Sequence, residues 1–392
     1  MKELLRKGRD KLTKPLLCLI VPLTVLPFFW EQDTISGKIL LVTKFGLMAL
    51  LWLLHAELIS LPENIGLGLV ACSMALTVKL RDGVGIALLF MILFFCLLTF
   101  PRIRLSAKFR RWLFFALGIS VFGFAIYGIQ KNINAGLTVF DMKGFLYPNT
   151  SGLLFVASYL FLQCFMSTMK KTWIKWLTFG LFTLLFAGPI YQTGCRSAMM
   201  SMAVFLPLFI VLTTLNKEGL FRFCHVAILI CTVLICGVFL YLSYGNPVTN
   251  QELTNASFLG KKFMTGRERV WQGALEYIGS NFVLGCGNQY NLSDASHIYF
   301  SSAHSVPIGI MLCMGTVPTL YYFFLQFRPG TLYSLKEKCT TWQRMPAICF
   351  MAAMAITAFE CSLTDAQLNF LFLPLLLGCA PEQAKPEEVT HG

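Results

Sequence analysis

Charged residues are scarce in this chain. Only 13% of its 392 residues are charged, whereas 56% are hydrophobic and the mean hydropathy is +0.67. A water-soluble protein of this length does not need so much apolar surface. Several apolar runs approach the ~20 residues with which an α-helix crosses a bilayer, and Lys/Arg clusters separate them. The pattern predicts an all-α integral membrane protein rather than a barrel of alternating ~10-residue strands.

Paired cysteines and intramembrane acids are also lacking. None of the 14 cysteines forms a CxxC pair, which argues against a zinc ribbon, and most of them lie inside apolar runs. The acids Glu57, Glu360 and Asp365 lie near the ends of predicted spans. They form no relay along successive helices, which argues against an ion-coupled transporter. The basic N-terminus precedes an apolar run without a clear cleavage site, which predicts an uncleaved first span.

The net charge of +13 does not indicate a nucleic-acid partner, because the basic residues fall in short patches between apolar runs. Such patches are typical of cytoplasmic loops. The apolar runs predict about twelve spans: 15–30, 37–55, 62–79, 83–100, 112–130, 150–168, 177–193, 196–215, 224–244, 304–327, 345–360 and 366–380.

The basic loops predict the orientation of these spans. Twenty of the 32 lysines and arginines lie in five segments that share one side if both termini are cytoplasmic: 1–14, 101–111, 169–176, 216–223 and 328–344. The long polar segment 245–303 then lies on the opposite side, and a loop of that length is usually functional. The predicted organisation is 1–244 as an N-terminal bundle of about nine spans, 245–303 as an outward loop with an amphipathic helix, 304–380 as C-terminal membrane helices, and 381–392 as a cytoplasmic tail.

Positive charge on the outward side needs a reason other than orientation. Arg196 stands in "YQTGCRSAMMSM", where Gly194 permits a tight turn and the small residues after Arg196 permit close helix packing. A guanidinium is a permanent charge with a planar fork suited to phosphate oxygens. The alternative is an interfacial arginine that extends into the lipid headgroups.

The segment 263–290, "FMTGRERVWQGALEYIGSNFVLGCGNQY", predicts a turn followed by an amphipathic helix. Arg267 and Arg269 stand at its start, and residues such as Val270, Trp271 and Ala274 recur at helical spacing to form an apolar face. The alternative is a helix that lies on the membrane with its basic residues towards lipid phosphates. "GCG" is not a dinucleotide fingerprint here, because no βαβ unit surrounds it.

His304 starts the predicted span "HSVPIGIMLCMG". A histidine with an ordinary pKa of about 6.5 is largely neutral at pH 7 and can accept a proton. Alternatively, it is a structural histidine bonded to a carbonyl. A metal site of Asp294, His297 and His304 is a further alternative, although its spacing fits no familiar ligand pattern.

Three segments together resemble the O-antigen ligase and O-antigen polymerase superfamily of membrane glycosyltransferases: "TGCRSAMM", "TGRERVWQGAL...VLGCGNQ" and "HSVPIGIMLCMG". The last one has the His, Ser and then Gly spacing of the ligases at His304, Ser305 and Gly315. Pro318 departs from the small residue that is often found three positions after that glycine.

The resemblance implies a GT-C-like fold in the bacterial inner membrane, with the large loop 245–303 and the active site in the periplasm. The implied donor is a glycan on undecaprenyl diphosphate, and the acceptor is the lipid A–core oligosaccharide or a lipid-linked glycan. His304 would be the general base, while Arg196 and Arg267, with Arg269 in reserve, would bind the diphosphate. Neither a cofactor nor a metal is implied.

Two other functions remain open at this point. A polymerase would join the glycan to another lipid-linked repeat unit, whereas a ligase would deliver it to the lipid A–core. The His-Ser-x₉-Gly spacing favours the ligase. A flippase or transporter of lipid-linked sugars would need outward arginines and a path through the membrane, but no base.

Overall fold

The computed structural model describes most of the chain: residues 2–25, 35–139, 148–215, 218–245, 257–258, 261–262, 267–290, 305–327, 342, 344–357 and 371–380. The described part is almost entirely helical. Its α-helices, in chain order, are α1 Lys2–Val25, α2 Ile35–His55, α3 Leu61–Arg81, α4 Val84–Thr99, α5 Ala107–Asn134, α6 Pro148–Ser167, α7 Thr172–Gln192, α8 Arg196–Leu215, α9 Glu218–Gly245, α10 Arg267–Ser280, α11 Val306–Met314, α12 Thr316–Phe327 and α13 Met345–Thr357.

Short elements complete the described structure. Two strands of two residues each, β1 Ser257–Phe258 and β2 Lys261–Lys262, pair antiparallel. Three 3₁₀ helices cover Ala56–Leu58, Phe100–Arg102 and Leu373–Gly378.

Seven of the described helices are long and apolar enough to cross a membrane. They are Gly37–Leu58, Leu61–Arg81, Val84–Arg102, Ala107–Asn134, Pro148–Ser167, Thr172–Gln192 and Arg196–Leu215. They correspond one to one to the predicted spans from 37–55 to 196–215, so the chain is an integral membrane protein of the α class. The full count of twelve spans and the periplasmic side of 245–303 stay predictions.

The prediction of one continuous helix over 304–327 is wrong. The chain breaks at Gly315, which separates the nine-residue α11 from the twelve-residue α12. Gly315 has a φ of 78°, a left-handed conformation that ends a helix and that glycine adopts without a Cβ penalty. The predicted span 366–380 also differs, because its described part, 371–380, contains a six-residue 3₁₀ helix.

The chain forms two compact units, each assembled from separate stretches of sequence. The first unit comprises Met1–Thr99, His225–Arg328 and Met354–Leu371, and the second comprises Phe100–Cys224, Pro329–Ala353 and Phe372–Gly392. Arg267 and Arg269 therefore belong to the first unit, and Arg196 belongs to the second.

In the first unit, α2 and α4 run in the same direction. Leu41 packs beside Gly85 near the start of both helices, and Met48 Sδ lies 3.9 Å from Cys96 Sγ further along them. Helix α12 packs on α3 through Tyr321, whose hydroxyl donates to the carbonyl of Glu63 over 2.8 Å. Gly66 makes this approach possible, because a Cβ there would lie 2.5 Å from the Tyr321 ring.

In the second unit, α6 is the central helix and is buried along almost its whole length. It pairs with α5 in the antiparallel direction: the Ser158 hydroxyl donates to the carbonyl of Gly118 over 2.8 Å, and the Phe114 and Phe161 rings stack at 6.3 Å. Helices α7 and α8 pack their aromatic residues together, with the Phe179 and Phe209 ring centroids 4.6 Å apart. The turn between α7 and α8 ends directly before Arg196, the first residue of α8.

Candidate functional site

Arg196 follows a turn that is fixed by a side-chain hydroxyl. The Thr193 hydroxyl donates to the carbonyl of Ile190 over 2.7 Å and accepts the Cys195 N–H at 3.2 Å. Gly194 has a φ of 60°, which lets the chain turn within the three residues between α7 and α8. Helix α8 then begins directly at Arg196.

Small residues pack this turn tightly, as the sequence predicts. A Cβ at Gly152 of α6 would collide with the Cβ of Cys195, so α6 touches the turn through its backbone. On the first turns of α8, Ser197 is 4% exposed and Ser201 is fully buried. The Ser201 hydroxyl donates to the carbonyl of Ala352 over 3.0 Å.

The position of Arg196 is electrostatically unusual. A helix start has unsatisfied N–H groups and a partial positive charge, so it favours anions and disfavours cations. Arg196 nevertheless occupies the first position of α8, where its side chain is half-buried. An arginine at such a position adds a full charge to an end that already attracts phosphate oxygens.

The amphipathic helix predicted in 263–290 is present as α10. It begins at Arg267, so Arg267 and Arg269 both lie in its first turn. Their side chains lie outside what the structure describes. Both arginine motifs of the sequence therefore start helices.

Protein covers the apolar face of α10. Val270, Trp271 and Ala274 are buried, and they pack in one cluster with Cys286, Ile308 and Leu312. The apolar face of α10 therefore packs on protein, in contrast to the alternative in which it rests on lipid. The contact instead joins the second and third sequence motifs, because Ile308 and Leu312 belong to α11.

Glycines join the ends of α10 and α11 backbone to backbone. The N–H groups of Cys286 and Gly287 donate to the carbonyls of Leu312 and Cys313, over 2.7 and 2.8 Å. Gly285 and Gly315 have φ values of 71° and 78°, and a Cβ on Gly285 would lie 2.6 Å from the Gly315 nitrogen. We call residues 281–287 together with 312–316 the glycine junction. The close backbone contacts of the glycine junction explain why both the Gly-x-Gly of residues 285–287 and the glycine eleven residues after His304, Gly315, have to be glycines.

The glycine junction is also bound to the end of α3. The Thr77 hydroxyl donates to the carbonyl of Leu284 over 2.6 Å and is completely buried. Gly287 meets the carbonyl of Asp82 so closely that no Cβ would fit there. Thr77 was missed in the sequence, because a single threonine in an apolar run gives no signal of a partner 207 residues away.

The C-terminal ends of α10 and α11 lie together. Phe282, two residues after α10, accepts a hydrogen bond over 2.7 Å from the hydroxyl of Thr316, two residues after α11. The two helices also pack against each other in the buried cluster that contains Trp271 and Leu312. Two packed helices whose C-terminal ends meet run in the same general direction.

Because their directions agree, the first residues of α10 and α11 lie at the same end of the pair. One helix begins at Arg267, and the other has Ser305 as its N-cap residue. His304 lies outside the described residues, and Ser305, which is fully buried, follows it directly in the chain.

Two chemical alternatives can be addressed in part. Within the described residues no group of three or more His, Cys, Asp or Glu side chains could hold a metal ion, but Asp294, His297 and His304 all lie outside them. Burial raises the pKa of the Cys286 thiol above its usual value, and this effect outweighs the opposing charge of Arg81. At neutral pH that thiol is protonated, so it is not an activated nucleophile.

One family comparison gives a match. Residues 179–323 match the family model described as O-antigen ligase, and this range contains all three motifs, from Arg196 to Gly315. No curated protein matches the chain. The match confirms the resemblance seen in the sequence and supports a membrane glycosyltransferase-like enzyme that acts on lipid-linked glycans. Residues 179–323 are therefore similar to an O-antigen ligase domain, which supports the superfamily that the three motifs indicate.

Proposed function

We propose that the protein is an inverting glycosyltransferase that moves a glycan from undecaprenyl diphosphate to the lipid A–core oligosaccharide at the periplasmic face of the inner membrane. The observation that carries this proposal is the start of α10 and α8 at arginines, within a chain that resembles the O-antigen ligase superfamily. Cations at helix starts favour a strongly anionic ligand, and a diphosphate is the anionic part of such a donor.

The donor's diphosphate is the leaving group of the reaction. Arg267, with Arg269 beside it in the first turn of α10, binds phosphate oxygens and takes up the negative charge that grows on them as the C1–O bond breaks. Arg196 has the same role. For Arg196 the proposal rests on its guanidinium and on its position at the first residue of α8.

His304 is the general base. Its neutral imidazole takes the proton of the acceptor hydroxyl while the hydroxyl oxygen attacks the anomeric carbon. A C–O bond to the acceptor forms, the C1–O bond to the diphosphate breaks, and undecaprenyl diphosphate leaves with the electron pair. Because attack and departure occur on opposite faces of the carbon, the product has the inverted configuration. The common end of α10 and α11 supports this pairing of His304 with Arg267, since Ser305 and Arg267 start the two helices.

The mass of the product tests the function. Purified protein is given one defined lipid-linked glycan with lipid A–core, with a second lipid-linked glycan, or with neither acceptor, and His304→Ala is the inactive control. We expect a glycosylated lipid A–core and released undecaprenyl diphosphate. A lengthened lipid-linked glycan as the only product would instead identify a polymerase, and transport without any new covalent product would identify a flippase.

A further inference from the structure

Lys44 is a buried cation in the middle of an apolar helix. It lies in α2, inside the membrane-span candidate Gly37–Leu58, and its side chain is only 6% exposed. It shares the protein-facing side of α2 with Met48 and Leu51, which are both fully buried. Lys44 therefore faces the interior of the first unit rather than lipid.

The burial of Lys44 is not compensated within the part of the chain that the structure describes. No hydrogen bond or ion pair joins its ammonium to another described residue. Taking an ammonium out of water without a partner is unfavourable even after the protein relaxes around it. Ionisable residues inside membrane spans are therefore rare, and they mark the paths of ions and substrates.

The location of Lys44 connects it with the glycine junction. Since α2 and α4 run in the same direction, α2 begins at the end of the first unit where α4 begins, and Lys44 lies about halfway along α2 from that end. Gly83, directly before α4, would bring a Cβ to 3.1 Å from the Asn288 nitrogen, so the segment after α10 packs against this end. Side chains of a helix lean towards its N-terminus, which brings a long lysine still nearer to that end.

We propose that Lys44 binds a phosphate oxygen of an anionic lipid, and that this lipid is the polyprenyl diphosphate donor. The proposal rests on the proposed function and adds a cation that belongs to none of the three motifs. An ammonium is a compact charge with three donors and suits a phosphate whose orientation changes during the reaction. The bound phosphate supplies the counter-charge that no described residue gives Lys44.

Binding of undecaprenyl diphosphate to the full chain tests this proposal without turnover. The protein is placed in nanodiscs of zwitterionic lipid, and the dissociation constant and the thermal stability are measured with undecaprenyl diphosphate and with uncharged undecaprenol. The variants are Lys44→Met, which keeps the length but removes the charge, and Lys44→Arg, which keeps the charge. Lys38→Met is the matched control, because Lys38 is an exposed lysine of the same helix.

We expect Lys44→Met to weaken diphosphate binding by about tenfold to a hundredfold, the loss of one charge-assisted hydrogen bond. Without ligand, Lys44→Met should be at least as heat-stable as the wild type, because it removes a buried charge for which the described residues provide no partner. A purely structural lysine would give the opposite stability result. Lys44→Arg should bind more tightly than Lys44→Met, and Lys38→Met should match the wild type.

Three outcomes would overturn the proposal. Wild-type affinity in Lys44→Met overturns the role of Lys44 and leaves the proposed function intact. An equal Lys44-dependent stabilisation by nanodiscs of phosphatidylglycerol without any polyprenyl lipid would assign Lys44 to ordinary headgroups rather than to the donor. No binding of undecaprenyl diphosphate by the wild type would overturn both the role of Lys44 and the donor in the proposed function.

Discussion

The two arginine-bearing segments are held in place by different kinds of contact. The turn before Arg196 is fixed by the hydroxyl of Thr193 and by close packing on Gly152. The segment after α10 is fixed by backbone hydrogen bonds from Cys286 and Gly287, with glycines where a Cβ would collide. The first arrangement needs a hydroxyl within its own turn in addition to a glycine, whereas the second is held mainly by backbone groups that only glycines allow to approach. The two regions should therefore respond to different substitutions.

The largest expected effect comes from His304, which belongs to neither of the two contacts just compared. His304→Gln keeps a hydrogen-bonding side chain but cannot accept a proton at neutral pH, so transfer should be lost across pH 5 to 9 while expression and donor binding remain. Wild-type transfer should fall as the pH drops through about 6.5, the ordinary pKa of histidine.

His297→Gln is the control for His304→Gln and is expected to be active. EDTA should not inhibit the wild type. Loss of activity in both histidine variants together with inhibition by EDTA would support the metal alternative instead.

The arginines are next in expected effect. Arg267→Ala and Arg196→Ala should each lower the transfer rate about a hundredfold or more, because each removes a group that stabilises the leaving diphosphate. Lysine at either position should rescue poorly, since a point charge cannot form a bidentate pair. Arg104→Ala, in the basic loop 101–111, is the control and should behave as the wild type. Near-normal rates in both alanine variants at limiting donor would exclude the two arginines as a diphosphate clamp.

Replacing Gly315 of the glycine junction should destabilise the protein more than truncating the side chain of Cys286. Gly315→Ala puts a Cβ on a left-handed residue, which costs about 1–2 kcal/mol, and it also collides with the carbonyl of Val283. Cys286→Ala keeps the N–H that bonds to Leu312 and should cost less. Thermal inactivation of the purified variants measures both effects. Equal losses would show that side-chain packing, and not the backbone contact, holds this junction.

The smallest effect should come from Thr77. Thr77→Val removes the hydroxyl that donates to the carbonyl of the half-buried Leu284, at a cost of about 1 kcal/mol. We expect faster amide hydrogen exchange in residues 281–287, whereas Thr77→Ser, which keeps the hydroxyl, should exchange as the wild type does. Unchanged exchange in Thr77→Val would mean that α3 does not hold the junction through this bond.

The sequence predicts the spans from 37–55 to 196–215 because each is an apolar run of nearly the length that a bilayer requires. It does not predict the break at Gly315, since glycine inside an apolar run costs a helix only about 1 kcal/mol and is common in membrane spans. Thr77 and Lys44 are missed for a related reason: each is a single polar residue in an apolar run, and its importance depends on a neighbour distant in sequence.

The central claim is a single displacement at the anomeric carbon. The anomeric configuration of the product tests this claim most directly. The glycosidic linkage formed by the wild type from a donor of known configuration is determined by NMR coupling constants. The account predicts inversion relative to the donor together with release of undecaprenyl diphosphate, because one hydroxyl attacks as the diphosphate leaves from the opposite face. Retention of configuration would exclude a single attack on the face opposite to the leaving diphosphate and would contradict the mechanism.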